Sequence, residues 1–272
     1  MPTRPADTVH FMMAALGEIS VFITGCNRGI GLACVKHILQ LPASPKHVFA
    51  TCRSLKAESA QELTQLAAKH SNLHLLEFDV TNASQLAAIS SKVEEKLGDA
   101  GLNLLINNAG IYDTKGSAYG TKTTSLEEIT AETMMKVYET NTIAPLMIAK
   151  SFLPLLKRAA LDKTSSCHPR AVILNISSED GSIQLNNTGG YYQYKSSKAA
   201  LNMVTKSLSI EFAKDAITVV CVDPGWIQTD MGGSAAPLVL SDAIPSLVKL
   251  IGSLDQSMTG SFFSYNGSLM PW

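Results

Sequence analysis

The sequence predicts an α/β fold: a doubly wound, mainly parallel sheet of seven strands with helices on both faces, a three-layer sandwich. Three observations lead there. Short β-branched runs alternate with longer helical patterns from Ile19 onward. Several of those runs are apolar almost without interruption, as expected of strands covered on both faces of a parallel sheet. The first run leads directly into a glycine-rich junction, "TGCNRGIG" at 24–31.

Taken in order, the strands are expected at "ISVFIT" (19–24), "HVFATC" (47–52), "LHLLEF" (73–78), "LNLLIN" (102–107), "AVILNI" (171–176), "ITVVCV" (217–222) and "SFFSY" (261–265). Between them, 30–41, 57–70, 83–97, 131–156, 195–213 and 241–253 have the length and periodicity of crossover helices. Two irregular segments, 112–125 and 229–240, follow strand ends and are candidates for substrate contact. Residues 1–17 read as a loose leader and 18–272 as a single domain, a reasonable size for one α/β core with 46% hydrophobic side chains.

Composition narrows the function classes. The 22 Lys+Arg and 23 Asp+Glu leave a net charge of -1, scattered along the chain, so a nucleic-acid partner is not expected. The stretch "HFMMAAL" is too short for a membrane span. The 5 cysteines are an odd count without CxxC spacing, the pattern of reduced thiols in a cytoplasmic protein. His70 and His74 stand four apart, but a strand begins between them and no third ligand is near, so no metal site is expected; the other histidines read as isolated.

At the glycine-rich junction, Gly25, Gly29 and Gly31 let backbone N–H groups and a helix N-terminus face a pyrophosphate. The GxGxxG fingerprint fails here, because Cys34 takes its last glycine position, and the longer TGxxxGxG fits. Strand two ends in Arg53 where an acidic residue would bind an unphosphorylated ribose. Arg53 and Arg28 offer two guanidinium forks for a 2′-phosphate, so NADP(H) is the expected cofactor. Asp79, ending strand three, is placed to accept a bond from an adenine amino group.

The octapeptide "YYQYKSSK" (191–198) contains two tyrosine–lysine pairs at the same spacing, Tyr191 with Lys195 and Tyr194 with Lys198. Helical phase separates them. The apolar stripe Leu201, Val204, Leu208 and Phe212 marks the buried face of 195–213, and Tyr194 and Lys198 project near its edge, toward the sheet. Lys195 falls with Asn202 and Lys206 on the polar side, toward solvent. Tyr191 follows two glycines, where the chain is not expected to be helical, so its spacing to Lys195 need not bring the side chains together. Tyr194 and Lys198 are therefore the expected acid/base pair: the ammonium stabilises a phenolate whose reference pKa is about 10. Tyr191 and Tyr192 are left to packing or the pocket wall.

Together, "TGCNRGIG", "DV" (79–80), "NNAG" (107–110), Asn141 in "YETNT", "NISS" (175–178), "YKSSK" (194–198) and "DPGWIQTDM" (223–231) resemble the short-chain dehydrogenase/reductase family, in its branch of sniffer and C-factor-like carbonyl reductases. The resemblance runs from residue 19 to the C-terminus. It implies a Rossmann-type domain whose cofactor site comprises Gly25, Asn27, Arg28, Gly29, Ile30, Gly31, Arg53, Asp79, Val80, Asn108, Ala109, Gly110, Tyr194, Lys198, Pro224, Gly225, Ile227 and Thr229. It also implies a catalytic set of Asn141, Ser178, Tyr194 and Lys198: Tyr194 protonates the carbonyl oxygen, Ser178 holds the same oxygen, Lys198 binds the nicotinamide ribose, and Asn141 holds a water that relays protons to Lys198. Ser178 lies 16 residues before Tyr194, three more than is usual in the family, which leaves Ser177 as an alternative. The extra length is placed in "QLNNTGG" (184–190).

The expected activity is NADPH-dependent reduction of a ketone, aldehyde or quinone by a homodimer, or a tetramer, with Ile183 to Tyr192, Trp226 and Met231 to Leu240 as candidate pocket walls. The alternatives are a non-catalytic NADP(H)-binding sensor on the same fold and an alcohol dehydrogenase of the same family.

Overall fold

The computed structural model describes residues 16–112, 126–162 and 170–272. Most of the predicted leader, all of segment 112–125 except Tyr112, and Cys167 lie outside the described residues.

Seven parallel strands form one sheet: β1 (Ser20–Ile23), β2 (His47–Cys52), β3 (Leu73–Glu77), β4 (Leu104–Asn107), β5 (Val172–Ile176), β6 (Thr218–Asp223) and β7 (Phe262–Ser264), in the order β3-β2-β1-β4-β5-β6-β7. Every residue of β1, β4, β5 and β6 is buried, which is why their sequences carry apolar side chains on both faces. The chain winds outward from β1 in one direction and from β4 in the other. A crevice therefore opens at the carboxyl ends of these two strands, the topological switch point where ligands bind in such sheets.

The helices are α1 (Gly29–Leu39), α2 (Gln61–Lys69), α3 (Leu86–Leu97), α4 (Ala131–Tyr138), α5 (Ala144–Leu161), α6 (Tyr192–Glu211) and α7 (Leu240–Ser253). They cover the sheet from both sides. On one face Val35 and Ile38 of α1 and Leu247 and Ile251 of α7 pack against Val21, Ile23 and Ile106. On the other, Ile89, Ile148, Phe152 and Leu208 from α3, α5 and α6 pack against Phe22, Phe49 and Ile173, with the Phe22 and Phe152 rings 4.5 Å apart.

Three expectations need correction. The predicted helix 131–156 is two α-helices joined by a π-turn, Glu139–Ile143, in which the Ala144 N–H reaches back to the Glu139 carbonyl. The helix expected from 195 begins at Tyr192, capped by Tyr191 in the left-handed region (φ 50°), because the Tyr191 carbonyl already accepts from the Tyr194 and Lys195 N–H groups. The histidines are not all isolated, since the β2–β3 register sets Phe49 opposite His74 and brings His47 Nδ1 to 3.0 Å from His74 Nε2. Among the described residues no group of three His, Cys, Asp or Glu side chains is placed to hold a metal, and no helix is long and apolar enough to cross a membrane.

Candidate active site

A cavity of about 400 Å³ opens at the switch point, between the ends of β1, β2, β3, β4 and β5 and the start of α6. Its floor is the glycine-rich turn. A Cβ on Gly31 would collide with the Gly25 carbonyl, so glycine is required there for α1 to start against β1. Gly29 sits at φ +57°, a conformation that side chains rarely adopt, and a Cβ there would touch the Thr229 methyl at 3.7 Å, an ordinary contact. Thr24 ties this turn to the next strand: its hydroxyl accepts from the N–H groups of Asn108 and Ala109, each at 3.0 Å, and its carbonyl accepts from the Asn108 amide at 2.8 Å. Thr24 was in the motif but carried no expected role; the tie depends on β1 and β4 being neighbours, which a linear reading does not show.

Of the predicted cofactor residues, Gly25, Asn27, Arg28, Gly29 and Ile30 line the cavity floor, and Arg53, Asp79 and Val80 line its outer end. Asn108, Ala109, Gly110, Tyr194, Lys198, Pro224 and Thr229 line the remainder. Gly31, Gly225 and Ile227 do not reach it; Ile227 is buried beneath the loop after β6, where it pairs with Leu238.

The two arginines differ. Arg53 is exposed at the cavity rim, whereas Arg28 Nη1 is 2.6 Å from Asp230, bridging the glycine turn to the loop after β6. Asp79 Oδ1 accepts from the Thr81 N–H and hydroxyl at 3.0 and 2.8 Å, and Asn82 caps the following turn.

At the inner end stand Tyr194 and Lys198, one helical turn apart on α6. Lys198 Nζ lies 5.7 Å from the Tyr194 ring centroid and donates to the Ile176 carbonyl at 2.7 Å. Burial pulls this ammonium down to about 8, against the opposing pull of the Asp223 carboxylate. Burial pushes the Tyr194 phenol up from its ordinary value; Asp180 adds to this, and a hydrogen bond with the Ser178 hydroxyl works against it. That bond separates the two serines. Ser177 lines the cavity and Ser178 does not, but the buried Ser177 hydroxyl is committed to Asn202 Oδ1, to which it donates at 2.6 Å.

Asn141 sits in the π-turn, a feature that often marks functional sites. Its side chain is engaged on both atoms: Oδ1 accepts from Ile111 N at 2.9 Å, and Nδ2 donates to the Ile111 carbonyl at 2.8 Å and to Ser197 Oγ at 3.0 Å. It thus joins the strand carrying "NNAG" to the helix carrying Tyr194. Behind it runs a buried amide chain from Asn107 to Asn175 at 2.8 Å and from Asn175 to Thr205 at 2.8 Å, which holds β4, β5 and α6 in register.

Asp223, at the end of β6, is a further member that the sequence motif contained without a role. Its Oδ1 accepts from Glu179 N at 3.1 Å and a second bond comes from Gly225 N, while burial pushes its carboxyl up to about 6. It joins the turn bearing Ser178 to the turn bearing Pro224. Lys195 departs from expectation most. It is buried rather than facing solvent, as is Asn202, and its Nζ lies 5.8 Å from the Tyr191 ring centroid, so the first pair is brought together after all. Only Lys206 of that predicted polar side is exposed.

A family model described as short chain dehydrogenase matches residues 20–237. The chain belongs to the short-chain dehydrogenase family. Among solved structures it is similar to the carbonyl reductase Sniffer of D. melanogaster, at 43% identity over 94% of this chain and 100% of that one, with a TM-score of 0.87. An NADPH-bound carbonyl reductase from chicken fatty liver shows 40% identity over 94% of this chain and 100% of that one, with a TM-score of 0.85. Among curated proteins, an uncharacterized oxidoreductase of Schizosaccharomyces pombe is 31% identical over 92% of this chain and 97% of its own length. The chain is thus an oxidoreductase of that family with carbonyl reductases among its structural neighbours.

Proposed function

We propose that the protein is an NADPH-dependent carbonyl reductase acting on a ketone, aldehyde or quinone. The observation that carries this reading is the joint placement of Tyr194 and Lys198 at the inner end of a cavity whose outer end presents Arg53, with the Ser178 hydroxyl hydrogen-bonded to the Tyr194 phenol. The cavity suits a phosphorylated dinucleotide. Gly29 lines it with backbone that carries no side chain, the N-terminus of α1 faces it, and a guanidinium rather than a carboxylate stands after β2. The NADPH carried by the chicken liver neighbour supports the same choice.

Bound NADPH supplies the hydride for the carbonyl carbon. Gly25, Asn27, Gly29 and Ile30 would hold its pyrophosphate side, Arg53 and Arg28 its 2′-phosphate, Asp79 and Val80 its adenine, and Asn108 to Gly110, Pro224 and Thr229 its inner half. Ser178 orients the carbonyl oxygen by a hydrogen bond. Tyr194, held protonated by its buried setting, gives its proton to that oxygen. Lys198 stabilises the phenolate left behind by its charge, and Asn141 leads the replacement proton toward Lys198 through a water.

The reading extends to a cytoplasmic homodimer. Free, buried Cys26, Cys34, Cys52 and Cys221 fit a reducing compartment, and Met203 and Ile210, exposed seven residues apart on α6, fit a face that a second copy covers. The test of function is a panel of ketones, aldehydes and quinones followed by NADPH consumption. Turnover of at least one class is expected. Tight NADPH binding without turnover of any would replace the reductase reading with that of a sensor.

A further inference from the structure

The first tyrosine–lysine pair of "YYQYKSSK" is built as closely as the second, yet it lies off the cofactor cavity. Lys195 has a side chain only 8% exposed. An ammonium so enclosed is costly unless its charge and its protons find partners. Its three protons find three acceptors: Asn186 Oδ1 at 2.9 Å, Thr188 Oγ1 at 2.9 Å and the Gly189 carbonyl at 3.1 Å. Asp180 Oδ1, at 3.6 Å, balances the charge.

All three acceptors belong to the segment 184–190 that lengthens the path from Ser178 to Tyr194. The segment's last two residues and the one after it have successive positive φ angles: Gly189 (φ 62°), Gly190 (φ 65°) and Tyr191 (φ 50°). Tyrosine adopts that conformation only where its surroundings hold it there. The Tyr191 ring packs 5.7 Å from the Tyr112 ring, which in turn stands 5.5 Å from the Tyr194 ring. At the other end of the loop, the Asp180 N–H donates to Ser178 Oγ. Lys195 therefore touches both ends of the loop that spans the two groups meeting the carbonyl oxygen.

We propose that Lys195 is a positioning residue for the substrate: by clamping Asn186, Thr188 and Gly189 it fixes Tyr191 and Tyr112 as an aromatic wall beside Tyr194, and so sets which carbonyl compounds seat there. This rests on the reductase reading above. The clamp acts on the fit of substrates large enough to reach the wall, and leaves proton transfer and cofactor binding to the second pair.

The test compares the full chain with Lys195→Met, Lys195→Arg and the double variant Asn186→Ala/Thr188→Ala, using propanal as a small probe and propiophenone as a bulky one at saturating NADPH. The loop double variant alters exposed positions and tests the clamp even where Lys195→Met fails to fold. For propiophenone, Lys195→Met and the loop double variant are expected to raise KM about tenfold or more with kcat within about threefold, as lost positioning rather than lost chemistry requires. The KM for propanal and the Kd for NADPH stay near wild type, and Lys195→Arg recovers part of the loss. Adding Lys195→Met to the loop double variant brings little further change. An unchanged propiophenone KM, or equal losses for both probes and NADPH, overturns the proposal.

Limited proteolysis reads the clamp without turnover, with nicking within 184–190 expected in Lys195→Met and not in wild type. If wild type reduces neither these probes nor any of the panel, the reductase reading fails and the substrate role of Lys195 fails with it. Equal resistance to proteolysis overturns the clamp itself.

Discussion

The Tyr194 phenol sits where burial holds its proton on, and four residues away burial pulls the proton of Lys198 off, down to about 8. The two effects oppose each other usefully. A proton donor must keep its proton until the carbonyl oxygen accumulates charge, and the phenolate then needs a cation beside it. Lys198 is charged below about pH 8 and neutral above, so kcat/KM for reduction is expected to fall as pH rises through that value. The Asp223 carboxylate raises Lys198, and with its own value near 6 it is ionised throughout the falling limb. Asp223→Asn keeps an acceptor for the Glu179 N–H but removes the charge. Its pH profile should therefore show the alkaline limb moved to lower pH, while an unmoved limb would mean that Asp223 serves only as a tie between turns. The residue types of this centre were legible because the chemistry demands them. The choice of Ser178 over Ser177 was not fully so, because it depends on Asn202 of α6 occupying the Ser177 hydroxyl.

At the scale of elements, two connections decide how the cofactor is gripped. The loop after β2 presents Arg53 free at the rim, while the start of α1 presents Arg28 already paired with Asp230 of the loop after β6. Both partners of that pair are exposed, so its net worth is only about 0–1 kcal/mol, and a 2′-phosphate can compete for the guanidinium. Arg53 then carries the larger share of discrimination. Arg53→Ala is expected to raise the Kd for NADPH by about tenfold or more, the usual worth of a charge-assisted bond, and to leave NADH nearly unaffected. Titration of both cofactors by fluorescence checks this; equal losses for the two would place the 2′-phosphate elsewhere. Strands were legible as elements because burial on both faces writes itself into composition. The π-turn between α4 and α5 was hidden, since the stretches on either side, Ala131–Tyr138 and Ala144–Leu161, each read as helix and nothing in the composition of Glu139–Ile143 marks a change of hydrogen-bond spacing. Lys195 was misplaced for a related reason: helical phase put it with Asn202 and Lys206, but the loop 184–190 folds back over that side of α6 and buries it.

For the whole molecule, the sheet order gathers into one crevice residues spread from Gly25 to Met231. The linear motifs announced much of that gathering because those at 24–31, 79–80, 107–110, 175–178 and 223–231 stand at strand ends, and the carboxyl ends of parallel strands share one edge. What a linear reading cannot contain is the cross-strand work: Thr24 to Asn108, Asn107 to Asn175, His47 to His74. The central claim is that the second of two similarly built tyrosine–lysine pairs performs proton transfer. It is tested most directly by comparing Tyr194→Phe with Tyr191→Phe in steady-state NADPH oxidation, with cofactor affinity measured alongside. Tyr194→Phe is expected to lower kcat by at least about 10²-fold, the usual worth of a positioned general acid, while NADPH still binds. Tyr191→Phe should alter the substrate preference and leave kcat for its best substrate near wild type. Loss of turnover in Tyr191→Phe with activity retained in Tyr194→Phe would contradict the account.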